Sequence, residues 1–78
     1  MNIASQLRQP AGTVIWLEFD YPALREKRLY HFSTAAQRQG AEIQQKSYNA
    51  FDRQNTPIFL LRVKILKPGK APGKRGRK

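Results

Sequence analysis

The chain contains no cysteine, and this absence excludes several kinds of chemistry at once. Disulfide bonds, thiolate metal sites and a nucleophilic thiol all require cysteine, so packing and hydrogen bonds alone must hold the fold. Histidine occurs once, at His31, and the five carboxylates are scattered along the chain. A metal site would therefore lack ligands, and a histidine base would lack an orienting acid. We predict no enzymatic activity, no cofactor and no small-molecule substrate.

Long apolar runs are also missing. No stretch approaches the roughly 18 apolar residues that a membrane-spanning helix needs. The first ten residues, MNIASQLRQP, lack the apolar segment of a signal peptide. The sequence contains no amphipathic helix of the kind that binds membrane surfaces, with bulky apolar residues opposite a lysine face. Together with the missing cysteines, these features predict a cytoplasmic protein with no membrane partner.

Acidic residues are few. Fifteen Lys and Arg stand against five Asp and Glu, so the formal net charge of the 78 residues is +10. A chain this basic concentrates around polyanions through long-range attraction. Nucleic acid is the polyanion that this composition favours.

Most of the excess charge lies at the C-terminal end. Residues 67–78, KPGKAPGKRGRK, contain six basic residues, two Pro, three Gly and no acidic residue. Such a segment has nothing with which to build a core, so we predict that it is a disordered C-terminal tail. Residues 1–66 hold nine basic and five acidic residues, a net charge of +4, so the tail carries the other six positive charges.

Within the tail, Arg75-Gly76-Arg77 resembles an AT-hook. The resemblance implies that the two arginines enter a narrow minor groove rich in A·T pairs. The next residue is Lys78, where an AT-hook usually has proline. The alternatives are that the tail contacts phosphates without sequence preference, that it aids solubility, or that it docks on an acidic protein.

The remaining residues divide into an irregular N-terminal lead-in and a compact body. Pro10 and Gly12 mark a turn near the end of the lead-in, residues 1–12. The body covers residues 13–66. Alternating apolar residues predict its first strand over residues 13–21 and its last strand over residues 58–66.

The middle of the body is predicted to contain a second strand and a helix. Residues 28–32, RLYHF, carry the aromatic residues typical of a strand. Thr34 and Gln37 have the spacing of a capping box, and small or apolar residues then recur every three or four positions up to Phe51. The expected fold is therefore α+β: a small three-stranded antiparallel sheet with one helix, in the order β-β-α-β, followed by the disordered basic tail.

Candidate contacts to nucleic acid come from three regions. The tail supplies cations, and the polar face of the sheet brings Trp16 near basic residues, where its ring would suit base stacking or would instead cover a sheet edge. The predicted helix carries Arg, Gln and Asn, which can read base edges in a major groove. The basic residues predicted to bind nucleic acid are Lys67, Lys70, Lys74, Arg75, Arg77, Lys78, Arg62, Lys64, Arg28, Arg38, Lys46 and Arg53.

These features predict a non-enzymatic nucleic-acid-binding protein, with DNA favoured over RNA because of the groove-reading helix. Two alternatives stay open. One is a ribosome-associated RNA-binding protein. The other is a small protein-binding regulator or inhibitor of the type that mobile elements encode, with residues 58–66 as an edge strand that extends a partner's sheet. Because one side of so small a sheet is thinly covered, we also predict a homodimer, either through the face bearing Trp16 or through the third strand.

Overall fold

A computed structural model describes residues 3–70 of the chain. Its elements, in chain order, are helix α1 (Ile3–Gln6), strand β1 (Val14–Phe19), helix α2 (Pro22–Gln39), strand β2 (Glu42–Phe51) and strand β3 (Pro57–Lys67). The strands form one antiparallel sheet in the order β1-β3-β2, so the last strand is the central one. The predicted α+β class, with a three-stranded antiparallel sheet and one main helix, is confirmed. None of the described helices is long and apolar enough to span a membrane.

The order of the elements corrects the prediction, because α2 precedes the second strand. Residues 28–32, predicted as a strand, lie inside α2, and residues 42–51, predicted as helix, form β2. Pro22 occupies the start of α2, where its missing N–H costs nothing and its fixed φ suits a helix. Thr34, predicted as the N-cap, instead donates its hydroxyl to the Tyr30 carbonyl one turn earlier, at 2.9 Å.

Gly40 ends α2 well before the predicted C-terminus. It adopts the left-handed conformation, with φ of 70°, which glycine tolerates at no steric cost. The Ala41 N–H then reaches the Ala36 carbonyl at 2.9 Å, closing the hydrogen-bonded loop that commonly terminates helices. The chain therefore leaves the helix at Ala41 and enters β2.

The core lies between α2 and the inner face of the sheet. Leu61, Val63 and Ile65 of the central strand are completely buried, as is Phe32 of α2. Leu7, which follows α1, is also completely buried in this cluster. Residues 3–12 thus take part in the fold, with one helical turn and a core side chain, although residues 1–12 were predicted to be an irregular lead-in.

The first residues of the C-terminal tail are bound to the body as well. Lys67 ends β3, the Gly69 N–H donates to the Leu7 carbonyl at 2.8 Å, and the Lys70 N–H donates to the Gln39 carbonyl at 3.2 Å. The predicted disorder of residues 67–78 is therefore wrong for residues 67–70. Residues 71–78 lie outside the described part of the chain.

Arg25 is a buried cation that ties α2 to β2. Its exposed fraction is 9%, and its Nη1 donates to the Tyr48 carbonyl at 2.9 Å and to Asn49 Oδ1 at 2.8 Å. The guanidinium lies 5.5 Å from the centre of the Phe59 ring. Hydrogen bonds and ring contact together offset the desolvation of the charge.

We expect Arg25→Ala to lower the free energy of unfolding by about 2–3 kcal/mol, because two acceptors on β2 lose a charged donor. Arg25→Lys should recover only part of this, since an ammonium cannot reproduce the planar fork over Phe59. Urea unfolding followed by circular dichroism measures both. Arg53→Ala, at an exposed position between β2 and β3, is the matched control and should change stability by about 0.5 kcal/mol or less. Equal losses at the two arginines would contradict a structural role for Arg25.

Candidate nucleic-acid interface

The sheet has a second face, turned away from α2, over which no other helix or strand of residues 3–70 packs. Its residues alternate with the buried positions of each strand, as expected for a sheet covered on one side. We call this surface the open face. Its residues are Val14, Trp16 and Glu18 of β1, Leu60, Arg62 and Lys64 of β3, and Gln44, Lys46 and Tyr48 of β2.

Two aromatic side chains meet on the open face. The centres of the Trp16 and Tyr48 rings are 5.5 Å apart, with the planes tilted by 37°. Because β1 and β2 flank β3 in the sheet, the two rings converge above the central strand. Trp16 is nevertheless 54% exposed and Tyr48 39% exposed. The pair therefore presents aromatic surface to solvent at the middle of the open face.

The strand register places cations beside this pair. Trp16 is opposite Arg62, and Arg62 is in turn opposite Lys46, so the three residues form one row across the sheet. Lys64 lies in the next row. Side chains opposite one another on a sheet face have Cβ atoms about 4.5–5.5 Å apart. A ligand resting on Trp16 would therefore be within reach of two cationic side chains in the same row.

The two ends of the open face differ in charge. From Arg62, β3 continues through Lys64 to Lys67 and then to Lys70, and Glu42, opposite Lys67, is the acidic residue at this end. The other end carries acidic residues: Glu18 on the face itself, Asp20 just after β1, and Asp52 in the connection from β2 to β3. Even with Arg53 in the same connection as Asp52, carboxylates outnumber cations at this end, and cations outnumber carboxylates at the end from which the C-terminal tail leaves.

Arg28 does not lie on the open face. It was predicted on a strand near Trp16 and Arg62, but it belongs to α2, and its guanidinium lies 6.0 Å from the centre of the Phe19 ring. Phe19 packs against the core on the inner side of the sheet. A shallow groove of about 370 Å³ is formed here by Phe19, Leu24, Lys27, Arg28 and His31. This basic groove is separate from the open face.

The other predicted basic residues are dispersed. Arg38 is exposed in the last turn of α2, and Arg53 is exposed between β2 and β3. Asp52 shapes that connection by accepting the N–H groups of Gln54 and Thr56 at 2.9 and 2.8 Å. The remaining predicted contacts, including the AT-hook-like arginines, lie outside the described residues; they are Lys74, Arg75, Arg77 and Lys78.

The helix that was predicted to read a major groove is not formed as predicted, because residues 42–51 belong to β2, and three of the polar residues assigned to it serve the fold. Gln45 and Asn49 belong to β2 rather than to a helix. Gln45 Nε2 donates to Ser33 Oγ at 2.9 Å, and Asn49 Oδ1 accepts from Arg25. Gln39 Nε2 donates to the Ala4 carbonyl at 3.2 Å, which fixes α1 to the end of α2. These amides hold elements together and are not free to read bases.

The central position of β3 corrects two further predictions. Residues 58–66 were expected to form an edge strand that pairs with a partner's sheet, and dimerisation through the third strand was one option. Both edges of β3 are already hydrogen-bonded, one to β1 and the other to β2. Only β1 and β2 offer free edges among the described strands.

No protein-family model, curated protein sequence or solved structure matches this chain. The feature with the most specific chemistry is the open face, because it combines an exposed aromatic pair with cations at fixed strand positions.

Proposed function

We propose that this protein binds nucleic acid without catalysing a reaction, and that the open face is its binding surface. The observation that carries the proposal is the row of Trp16, Arg62 and Lys46, with Tyr48 beside it. Aromatic rings stack on bases of any sequence, and cations that neutralise phosphates release condensed counterions. The C-terminal tail adds further cations to the same ligand. The cytoplasmic location predicted from the composition belongs to this proposal.

The cations of the open face are free to meet a ligand. Among residues 3–70 the one ion pair joins Arg25 and Glu26, at 3.7 Å, and it lies on α2. Arg62 and Lys64 project from the central strand, which is paired on both sides and is therefore held in place. Because the backbone beneath these cations is already ordered, binding has to order only their side chains, which supports a binding role for them.

Self-association through the open face is a second candidate. Val14 is 38% exposed and Trp16 is 54% exposed, so a second copy would bury apolar surface there. A twofold interface, however, brings the same patch together twice. The open face carries Arg62, Lys64 and Lys46 against the carboxylate of Glu18, while Glu42 lies opposite Lys67 at one end, so like charges would oppose such a pair. For this reason we favour nucleic acid as the partner. The face itself does not discriminate DNA from RNA.

Replacing one cation of the open face tests the proposal. We expect Arg62→Gln to weaken binding of the full-length protein to labelled oligonucleotides and to lower the salt slope of log K by about 0.7–0.9, the value of one phosphate contact. Fluorescence anisotropy from 50 to 200 mM salt measures both quantities. Lys27→Gln removes the same charge from an exposed position on α2 and should leave the slope nearly unchanged. If both variants lowered the slope equally, binding would depend on overall charge and the open face would not be the binding surface.

A further inference from the structure

We infer that the open face binds single-stranded nucleic acid, with bases stacked on Trp16 and Tyr48 and the backbone following β3 toward the C-terminal tail. This inference rests on the proposed function and narrows its ligand. It depends on three observations: the width of the sheet, the exposure of the ring pair, and the distribution of charge along β3.

The width of the sheet argues against insertion of the open face into the groove of a duplex. Neighbouring strands are about 4.8 Å apart, so the outer strands of a three-stranded sheet are separated by about 10 Å before side chains are counted. The major groove of B-DNA is about 12 Å wide and admits a helix or a two-stranded ribbon. The open face is therefore wider than a two-stranded ribbon, and the Trp16 and Tyr48 rings cover its middle, where a duplex groove would present base edges rather than base faces.

The ring pair suits bases that are already unstacked. In a duplex, neighbouring base pairs cover the faces of each base, and only the base edges are accessible. Trp16 and Tyr48 contact each other, yet 54% and 39% of their surfaces stay exposed. A base can therefore stack on the pair without prior rearrangement of the protein. A single strand offers such bases, whereas a duplex must first be opened.

The charges along β3 indicate the path that the bound nucleic-acid strand takes across the open face. Arg62 and Lys64 extend from the ring pair toward Lys67, while Glu18 lies at the opposite end of the face. The five steps from Arg62 to Lys67 span about 17 Å at the rise of a strand. At about 3.4 Å per stacked nucleotide this length accommodates about five nucleotides, or fewer if the strand is extended. The bound segment is therefore short, and it ends where the C-terminal tail begins.

Trp16 is the only tryptophan in the chain, so its fluorescence reports directly on the proposed contact. The full-length protein would be titrated with dT20, with U20 and with a mixed-sequence 20-base-pair DNA duplex. We expect both single strands to quench Trp16 fluorescence and to bind more tightly than the duplex, which should leave the fluorescence nearly unchanged. A difference between dT20 and U20 would identify which sugar is preferred.

Two aromatic substitutions complete the test. Trp16→Ala should weaken single-strand binding by about 5- to 150-fold, the range for loss of one stacking ring, and Trp16→Phe should restore most of it. Tyr30→Ala removes an aromatic ring of α2 that is 67% exposed and should leave the affinity unchanged. If the duplex bound as tightly as the single strands, with no quenching and no effect of Trp16→Ala, the inference would fail while the proposed function would stand. If none of the three probes bound, the proposed function would fail as well.

Discussion

Phe32→Ala is expected to leave a large part of the protein unfolded at 25 °C. Phe32 is completely buried between α2 and the central strand, where it shares the core with Leu61, Val63 and Ile65. Truncating a buried phenylalanine to alanine costs about 3–5 kcal/mol, through lost transfer energy and the cavity that remains. A domain of this size has roughly 3–10 kcal/mol of stability in total. The loss is therefore comparable with the whole free energy of unfolding.

Tyr30→Ala, two residues earlier, is the matched control. Tyr30 is 67% exposed, so its truncation should change stability by about 0.5 kcal/mol or less in urea or thermal unfolding. Comparison of the Phe32→Ala and Tyr30→Ala variants also distinguishes a helix from a strand in this part of the chain. On a strand, residues 30 and 32 share a face and would respond alike, whereas on a helix they point about 200° apart. Equal destabilisation by the two variants would contradict α2 in this region.

The sequence predicts the first and last strands of the body better than the residues between them. In β1 and β3, strongly apolar residues alternate with polar or exposed ones, as Ile15 and Leu17 do around Trp16. In β2 the inward-facing positions include Gln45 and Asn49, which are polar but bonded to α2. The strand therefore lacks the apolar alternation by which strands are recognised.

The helix was missed for a related reason. Arg25, Leu29, Phe32 and Ala36 recur at spacings of four, three and four and form the inward side of α2. Because the first of them is a charged residue, the pattern reads as polar at its start. Arg25 is buried only because Tyr48 and Asn49 accept its hydrogen bonds. Those partners become visible only once β2 is recognised as a strand.

The candidate site likewise contains some residues whose position could be predicted from the sequence and one, Tyr48, whose position could not. Trp16, Arg62 and Lys64 lie on the two strands that the sequence predicts correctly, so their common face follows from alternation. Tyr48 was assigned to a helix, and its place beside Trp16 depends on the antiparallel register of β2 with β3. Register of this kind is fixed by the core and by the turn at residues 52–56, not by any local signal in Tyr48 itself.

Removal of residues 71–78 is expected to produce the largest change in the salt dependence of binding. This segment contains Lys74, Arg75, Arg77 and Lys78, four of the 15 basic residues. For single strands each phosphate contact contributes about 0.7 to the salt slope, so the slope should fall by up to about 3. Between 50 and 200 mM salt the full-length protein should therefore lose on the order of 60-fold more affinity than the truncated protein.

The truncation must end after Lys70, because the hydrogen bonds of Gly69 to Leu7 and of Lys70 to Gln39 fix the body. A second truncation, after Leu66, removes these bonds and should lower stability as well as affinity. A full-length control with the four cations of residues 71–78 replaced by Gln preserves chain length. If the protein truncated after Lys70 still shows quenching of Trp16 by dT20 with a reduced salt slope, the open face selects the ligand and the segment only adds phosphate contacts. If the truncated protein stays folded but binds none of the probes, the tail alone attaches the full-length protein to nucleic acid and the open face has another partner.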